Sequence, residues 1–387
     1  MLGILKTLIN ISQIVLLHSS YYVFYFFVKN KKKYDWVVGV DEIAKYLYSL
    51  SQTLPNTYSV CFSKSKFYDL KYNFSLKIKN RKLMHVAKLF FGPILLGYLT
   101  NRSDKFIYIW SMGFLFDRNT DFKFLKSKNK KLVCMFMGSD IRSPILMLEY
   151  LKRHDIHGYI DFLPETQNPQ LIESYDRKKK SIARSADKHA DIIFNMPVDQ
   201  ISYLQQHQHP LPYMYDEKLF FYNKEKFIDL KKPKILHAPS NPLIKGTPLV
   251  RAAIKKLKLE GYHFDYVELH NSSNEMVLHH LKTSQIVLNQ FYVFVPGVFG
   301  IEAMANHCAL LTSADRAYEP ALPESSKSAW IITKYWNIYD KLKYLLENPE
   351  QIEVYAENGY QYAKKYCTYQ ATQEYLNSVF EKHNLLC

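Results

Sequence analysis

The chain has 387 residues, 48% of them hydrophobic, and a formal charge of +15. That length exceeds one ordinary core and predicts two domains, while the apolar content and the lack of long low-complexity stretches exclude a disordered chain. Five cysteines, at 61, 134, 308, 367 and 387, form no C-x-x-C pair, which argues against a zinc site or a disulfide framework and for a reducing compartment.

The positive charge sits in lysine clusters at 29–33, 126–131, 178–180 and 231–234. Such clusters suit nucleic acid, anionic lipid or phosphorylated small molecules, or simply keep a tyrosine-rich surface soluble. The runs fall in separate stretches and no recognition motif accompanies them, so nucleic acid is not an expected partner.

Residues 1–34 come first. Their positive charge follows the apolar run, the reverse of a signal peptide. Ile4, Leu8, Ile11 and Val15 recur at helical spacing, with Lys6, Asn10 and Gln13 on another side. Aromatics from Tyr21 to Phe27 and the run "KNKKK" follow, a pattern suited to a bilayer headgroup region. The same helix also suits packing on the protein's own sheet. If it spanned a membrane, the lysines would hold the remainder in the cytoplasm. The expected location is the cytoplasm, with peripheral contact at the inner face of the membrane.

Beyond it, "DWVVGV" (35–40) reads as a strand and "DEIAKYLYSLSQTL" (41–54) as a helix led by two acids. "TYSVCF" (57–62) alternates like a strand. "RKLMHVAKLFFGPILLGYL" (81–99) reads as a core helix, with membrane contact as the alternative. "KFIYIW" (105–110), "KLVCMFMGSD" (131–140) and "DIIFN" (191–195) are further strands. A first domain over 35–215 is followed by a charged linker, 216–233.

The second domain, 234–366, alternates more cleanly. "KILHA", "HFDYVEL", "SQIVLNQF" and "CALLTS" are strands, interleaved with the helices 247–261 and 274–283 and a glycine-bearing loop and helix at 296–307. Two such alternations predict an α/β chain with two doubly wound, Rossmann-like domains of mostly parallel sheet facing a cleft. The tail is helical, broken at Pro349, with residues 367–387 as a terminal helix.

Two loops carry the chemistry. "HAPSNPLIKGT" (237–247) offers the Ser240 and Thr247 hydroxyls, the Lys245 ammonium and amides around Gly246, a cradle for a diphosphate. "PGVFGIEAMANHCALLTS" (296–313) offers Gly297 and Gly300 for close approach and amides of a helix beginning near Phe299. Glu302 would repel a phosphate. In the first turn of that helix it is expected to stay ionised and to accept vicinal sugar hydroxyls. Each feature alone also suits an ordinary turn or helix start. Together they predict a sugar-nucleotide site.

Residues 234–313 resemble the donor-binding domain of GT-B glycosyltransferases of the family-4 type, found in bacterial polysaccharide and capsule synthesis. "ILHAPSNPLIKGT" is similar to that family's lysine-bearing phosphate loop, and "GVFGIEAMANHCALLTS" to its loop, helix and strand. The resemblance implies a GT-B fold, contact of Lys245 with the donor diphosphate, and a grip of Glu302 on the ribose. "MGSDIR" (137–142) is a weaker likeness, placing Asp140 and Arg142 at the acceptor side of the cleft. Departures are specific. Phe294 stands where a first glutamate grips the hexose, Ser240 replaces an arginine, and Asn306 and His307 stand where glycine is usual. The implied activity is transfer of a hexosyl group from a nucleotide-diphosphate sugar to a hydroxyl of a saccharide or lipid-linked acceptor, with retention. No D-x-D motif is placed to hold a metal, and no cofactor is expected. A non-catalytic GT-B partner protein and a GT-B epimerase or hydrolase are the alternatives.

Overall fold

The computed structural model describes residues 2–28, 33–63, 70–76, 78 and 80–386. Four of the five residues of "KNKKK" therefore lie outside the described residues, and with them the expectation attached to that run.

The first sheet holds β1 (Trp36–Val40), β2 (Thr57–Cys61), β3 (Phe74–Ser75), β4 (Lys105–Ile109), β5 (Lys131–Met135), β6 (Ile192–Phe194) and β7 (Gln208–His209). Their order is β3-β2-β1-β4-β5-β6-β7, and every pairing is parallel. The second sheet holds β8 (Lys234–His237), β9 (Asp265–Glu268), β10 (Ile286–Leu288), β11 (Ala309–Thr312) and β12 (Ile331–Ile332), ordered β12-β11-β10-β8-β9 and again parallel throughout. β1, β4, β5, β6, β8, β10 and β11 are almost wholly buried, as parallel strands covered on both faces must be. The two-residue strands β3, β7 and β12 lack the length to show any period in the sequence.

In the second sheet the chain leaves β8 for β9 on one side and returns to β10 on the other. That reversal parts the loops after β8 and β10 and opens a crevice at the strand ends, the usual place for a ligand in an open α/β sheet. The predicted phosphate loop and the glycine loop are those two loops.

The helix expected over 41–54 begins later, at Tyr46. Ala44 and Lys45 take left-handed φ values of 51° and 68°, breaking the helix in front of them. Glu42, in the preceding turn, acts instead as a remote cap. Its carboxylate accepts the amides of Leu47 (3.3 Å) and Tyr48 (3.0 Å), two of the orphan donors at the helix start.

The helical tail consists of Ile338–Glu347, Glu350–Tyr366 and Tyr369–Lys382. The middle helix packs on the second domain. The last crosses back to the first, where Phe380 lies 4.6 Å from Trp36 by ring centroid and the Tyr375 hydroxyl donates to the Pro210 carbonyl at 2.8 Å. The linker is likewise seated, since Lys226 donates to the carbonyls of Ser284 (2.8 Å) and Asn306 (2.9 Å). His307 takes a left-handed φ of 58°, the conformation a glycine would supply, and is held by stacking on Tyr222 at 4.4 Å.

Candidate functional site

The crevice between the domains forms a cavity of about 560 Å³. The second domain contributes Ser240, Lys245, Gly297, Phe299 and Glu302, and the first contributes Glu42, Met137, Asp199 and Tyr213. Lys245 and Glu302, on separate crossovers, therefore share one cavity.

The first loop is built from the end of β8. His237 is fully buried, and its ring bridges the Leu288 carbonyl (2.7 Å) and the Thr247 hydroxyl (2.8 Å). Burial pulls its pKa down to about 4, so the ring is neutral, with Nδ1 donating to the carbonyl and Nε2 accepting from the hydroxyl. Thr247 is consequently spent inside the domain and does not line the cavity. Asn241 caps the short helix Pro242–Lys245, and Gly246, at φ 79°, turns the chain into the helix Thr247–Leu259. Gly246 is buried against Phe291 and Tyr292, so its role is the turn rather than ligand contact.

Lys245 emerges half-buried from that turn, and its ammonium donates to Oε1 of Gln290. Gln290 donates in turn to the Val295 carbonyl at 2.7 Å, which links the two loops. Among the described residues no carboxylate lies within ion-pair range of Lys245. Desolvation lowers its pKa to about 8, against a weaker upward pull from Asp199.

The glycine loop differs from its sequence reading in one important respect. Its helix runs Gly297–Ala305, two residues earlier than expected, so Glu302 sits in the second turn. The helix start therefore does not keep Glu302 ionised. The residue is 4% exposed, and burial raises its pKa to about 7, countered mainly by a 2.8 Å hydrogen bond from Asn274 to Oε1. The N-cap residue, Pro296, offers no capping side chain; the Gly297 amide meets the Tyr213 hydroxyl, and the amides that follow remain for a ligand. Gly297, at φ 66°, opens the loop. Gly300 serves packing: a Cβ there would stand 2.9 Å from Asn289 Nδ2 and from Pro296 Cβ, and the residue does not line the cavity.

Asp140 and Arg142, expected at the acceptor side, both point into the first domain. Asp140 accepts the amides of Met137 (3.1 Å) and Gly138 (2.8 Å), and burial raises its pKa to about 6. Arg142 is buried and donates to Asp199 Oδ2 at 2.6 Å and to the Tyr159 hydroxyl at 2.5 Å. Asp199 is the residue that reaches the cavity. Its Oδ1 accepts the Phe294 amide at 2.9 Å, tying the domains together beside the site. Glu319 adds a second tie by accepting the amides of Val198 (2.8 Å) and Asp199 (2.7 Å). Phe294 itself is buried and stacked on Tyr318 at 5.2 Å, a hydrophobic anchor between the domains.

Glu42 and Asp199 had no signal beyond position: each follows a strand's carboxyl end in the first domain, where ligands of such sheets bind. Glu42 also accepts the Tyr72 hydroxyl at 2.6 Å, and burial raises its pKa.

No protein-family model matches the sequence, and no curated protein matches it. Solved structures do. A sucrose-phosphate synthase from Thermosynechococcus elongatus superposes with a TM-score of 0.60 at 11% identity, covering 91% of this chain and 99% of that one. Anabaena HepE, solved in complex with UDP-glucose, gives 0.56 at 10% identity over 90% and 99% of the two chains. A trehalose-6-phosphate synthase gives 0.51 at 11% identity over 90% and 99%. The fold is GT-B. At these identities the likeness is one of architecture, and within the GT-B frame the cavity occupies the cleft between the two domains.

Proposed function

We propose that the protein is a glycosyltransferase that moves a hexosyl group from a nucleotide-diphosphate sugar to a hydroxyl of a saccharide or lipid-linked acceptor, with retention and without a metal, in the cytoplasm. The observation that carries this reading is a pair of poorly matched groups in one cavity: among the described residues Lys245 has no carboxylate within ion-pair range, and the buried Glu302 has one hydrogen bond, from Asn274, and a weak pull from Lys45. A diphosphate supplies the anion that Lys245 lacks, and the amides from Val298 onward extend the same cradle. Ribose hydroxyls supply the donors that Glu302 lacks. The cavity volume lies within the range of about 300–1,000 Å³ usual for small-molecule sites.

In the proposed transfer the bond between the anomeric carbon and the diphosphate oxygen breaks, and the acceptor oxygen bonds to that carbon and gives up its proton to the departing diphosphate oxygen. Negative charge grows on the leaving diphosphate, where Lys245 and the helix-start amides stabilise it. Glu42 and Asp199 are the other carboxylates in the cavity, and they face it from the domain assigned to the acceptor. Ser240, exposed at the rim, and Phe299 complete the donor side. The resemblance to family-4 transferases and the GT-B fold support the assignment.

Phe294 favours a second reading. Its burial between the domains removes the glutamate position that would grip the hexose, as in a GT-B protein that binds a sugar nucleotide without transferring it. Incubation with a panel of nucleotide sugars tests both. Protection against unfolding with turnover supports transfer, and protection without turnover supports binding alone. Product analysis without acceptor separates an epimerase or hydrolase. Full turnover by Lys245→Ala sinks the donor assignment.

A further inference from the structure

The helices Leu2–Val28 and Arg81–Thr100 pack side by side and parallel on the first domain, with Gln13 against Leu89 and Phe24 against Tyr98, and each leaves a row of apolar side chains exposed. In a helix resting on a water-soluble protein the apolar stripe faces inward. Here the stripe Ile4, Leu8, Ile11, Val15, Tyr22 and Phe26 is exposed, and Gln13, Leu17 and Ser20 face the protein. The inward polar groups are matched: Gln13 donates to the Leu89 carbonyl at 2.9 Å and accepts the Phe116 amide at 2.8 Å. Ser20 donates to the Leu17 carbonyl at 2.9 Å. Gly97 lets the two backbones meet, because a Cβ there would stand 2.3 Å from Ser20 Oγ. The second helix extends the apolar face with Leu83, Val86, Phe90 and Phe91, all exposed, while Leu95, Leu96 and Leu99 are buried. Ser12, His18 and Ser19 are exposed as well, so the outer face mixes apolar and polar side chains, as a helix lying in a membrane interface does.

We propose that this helix pair is a monotopic membrane anchor lying in the plane of an anionic lipid surface, its outer face in the headgroup and acyl boundary. Two observations choose the occupant. Neither helix contains an aspartate or glutamate, and Lys6 and Lys82 are exposed beside the apolar stripe. A second copy of this face would set lysine against lysine, whereas anionic headgroups neutralise them. Tyr22, Tyr25, Phe26 and Phe27 are exposed at the end of the first helix next to the lysine run, the arrangement of an interfacial belt. The helix, about 40 Å long, is long enough to span a bilayer. Its attachment forbids that path: Gln13 at its middle and Tyr21 against Phe124 (5.6 Å) fix it along the domain surface. The proposal deepens the acceptor half of the function above, by bringing the cleft to lipid-linked substrates, and is independent of the donor site.

The test is sedimentation of the full-length protein with vesicles of phosphatidylcholine, with and without phosphatidylglycerol. Binding is expected to be about tenfold stronger with the anionic lipid. The double variant Ile11→Glu, Val15→Glu is expected to lose at least about tenfold of the partition. Lys6→Glu, Lys82→Glu is expected to lose the lipid preference. These side chains are exposed, so circular dichroism and nucleotide-sugar protection are expected to match the parent, which separates failure of the anchor from failure of the donor site. No vesicle binding, binding indifferent to lipid charge, or a dimer dissolved by the double variant overturns the proposal.

Discussion

In the proposed site a bound nucleotide sugar needs Lys245 protonated and Glu302 ionised. Burial lowers the Lys245 pKa to about 8, so its charge is lost as pH rises, and raises that of Glu302 to about 7, so its charge is lost as pH falls. If the ligand binds only the doubly charged form, the apparent dissociation constant grows with the fraction of sites in any other form. The two titrations then predict a bell centred at about pH 7.5, with affinity about sixfold weaker at about pH 6 and about pH 9, roughly 1 kcal/mol on each side. Calorimetric titration with a nucleotide sugar measures this. The intact sugar is the right ligand because its diphosphate does not titrate in that range, unlike a terminal phosphate, with its pKa of about 6. Lys245→Ala is expected to remove the alkaline limb and Glu302→Gln the acid limb, each with weaker binding at the centre. A flat profile from pH 6 to pH 9, or limbs that persist in both variants, refutes the reasoning.

Three further outcomes follow from the same geometry. Between the ordinary carboxylate value and about 7 the folded state binds the Glu302 proton and the unfolded chain does not, so stability falls as pH rises through that window. Glu302→Gln is therefore expected to stabilise the ligand-free protein by about 1–3 kcal/mol at pH 8 and far less at pH 5, read as a widening gap in melting temperature. Gly300→Ala pushes a methyl against Asn289 and Pro296 and is expected to cost about 1–3 kcal/mol in denaturant unfolding. Asp199→Ala leaves the buried Arg142 without its partner and cuts the tie to Phe294, at a cost of about 3–5 kcal/mol, seen as a lower melting temperature.

Much of the second domain was legible in the sequence because its signals are local. Apolar runs such as "KILHA" and "CALLTS" declare buried parallel strands, and the loops between them carry glycine, proline and lysine at positions that backbone geometry restricts. Those loops lie at the ends of β8 and β10, and the topology brings Lys245 and Glu302 into one cavity. Less was legible where a side chain chooses among long-range partners. The Thr247 hydroxyl went to His237, and Arg142 turned inward to Asp199, a residue 57 positions away that no spacing rule connects to it.

By itself the sequence determined two alternating α/β halves, the chemical character of the lysine-bearing and glycine-bearing loops and the helical tail, because periodicity and turn chemistry act over a few residues. Tertiary structure alone decided the environments. It started the glycine helix at Gly297 and so moved Glu302 out of the field of the helix end into a buried position on the cavity wall that raises its pKa. It brought Glu42 and Asp199 to the cleft, sent the last helix back across the domains and turned Gln13 of the first helix inward. Burial and charge depend on neighbours distant in the chain, and only the packed fold specifies which neighbours those are.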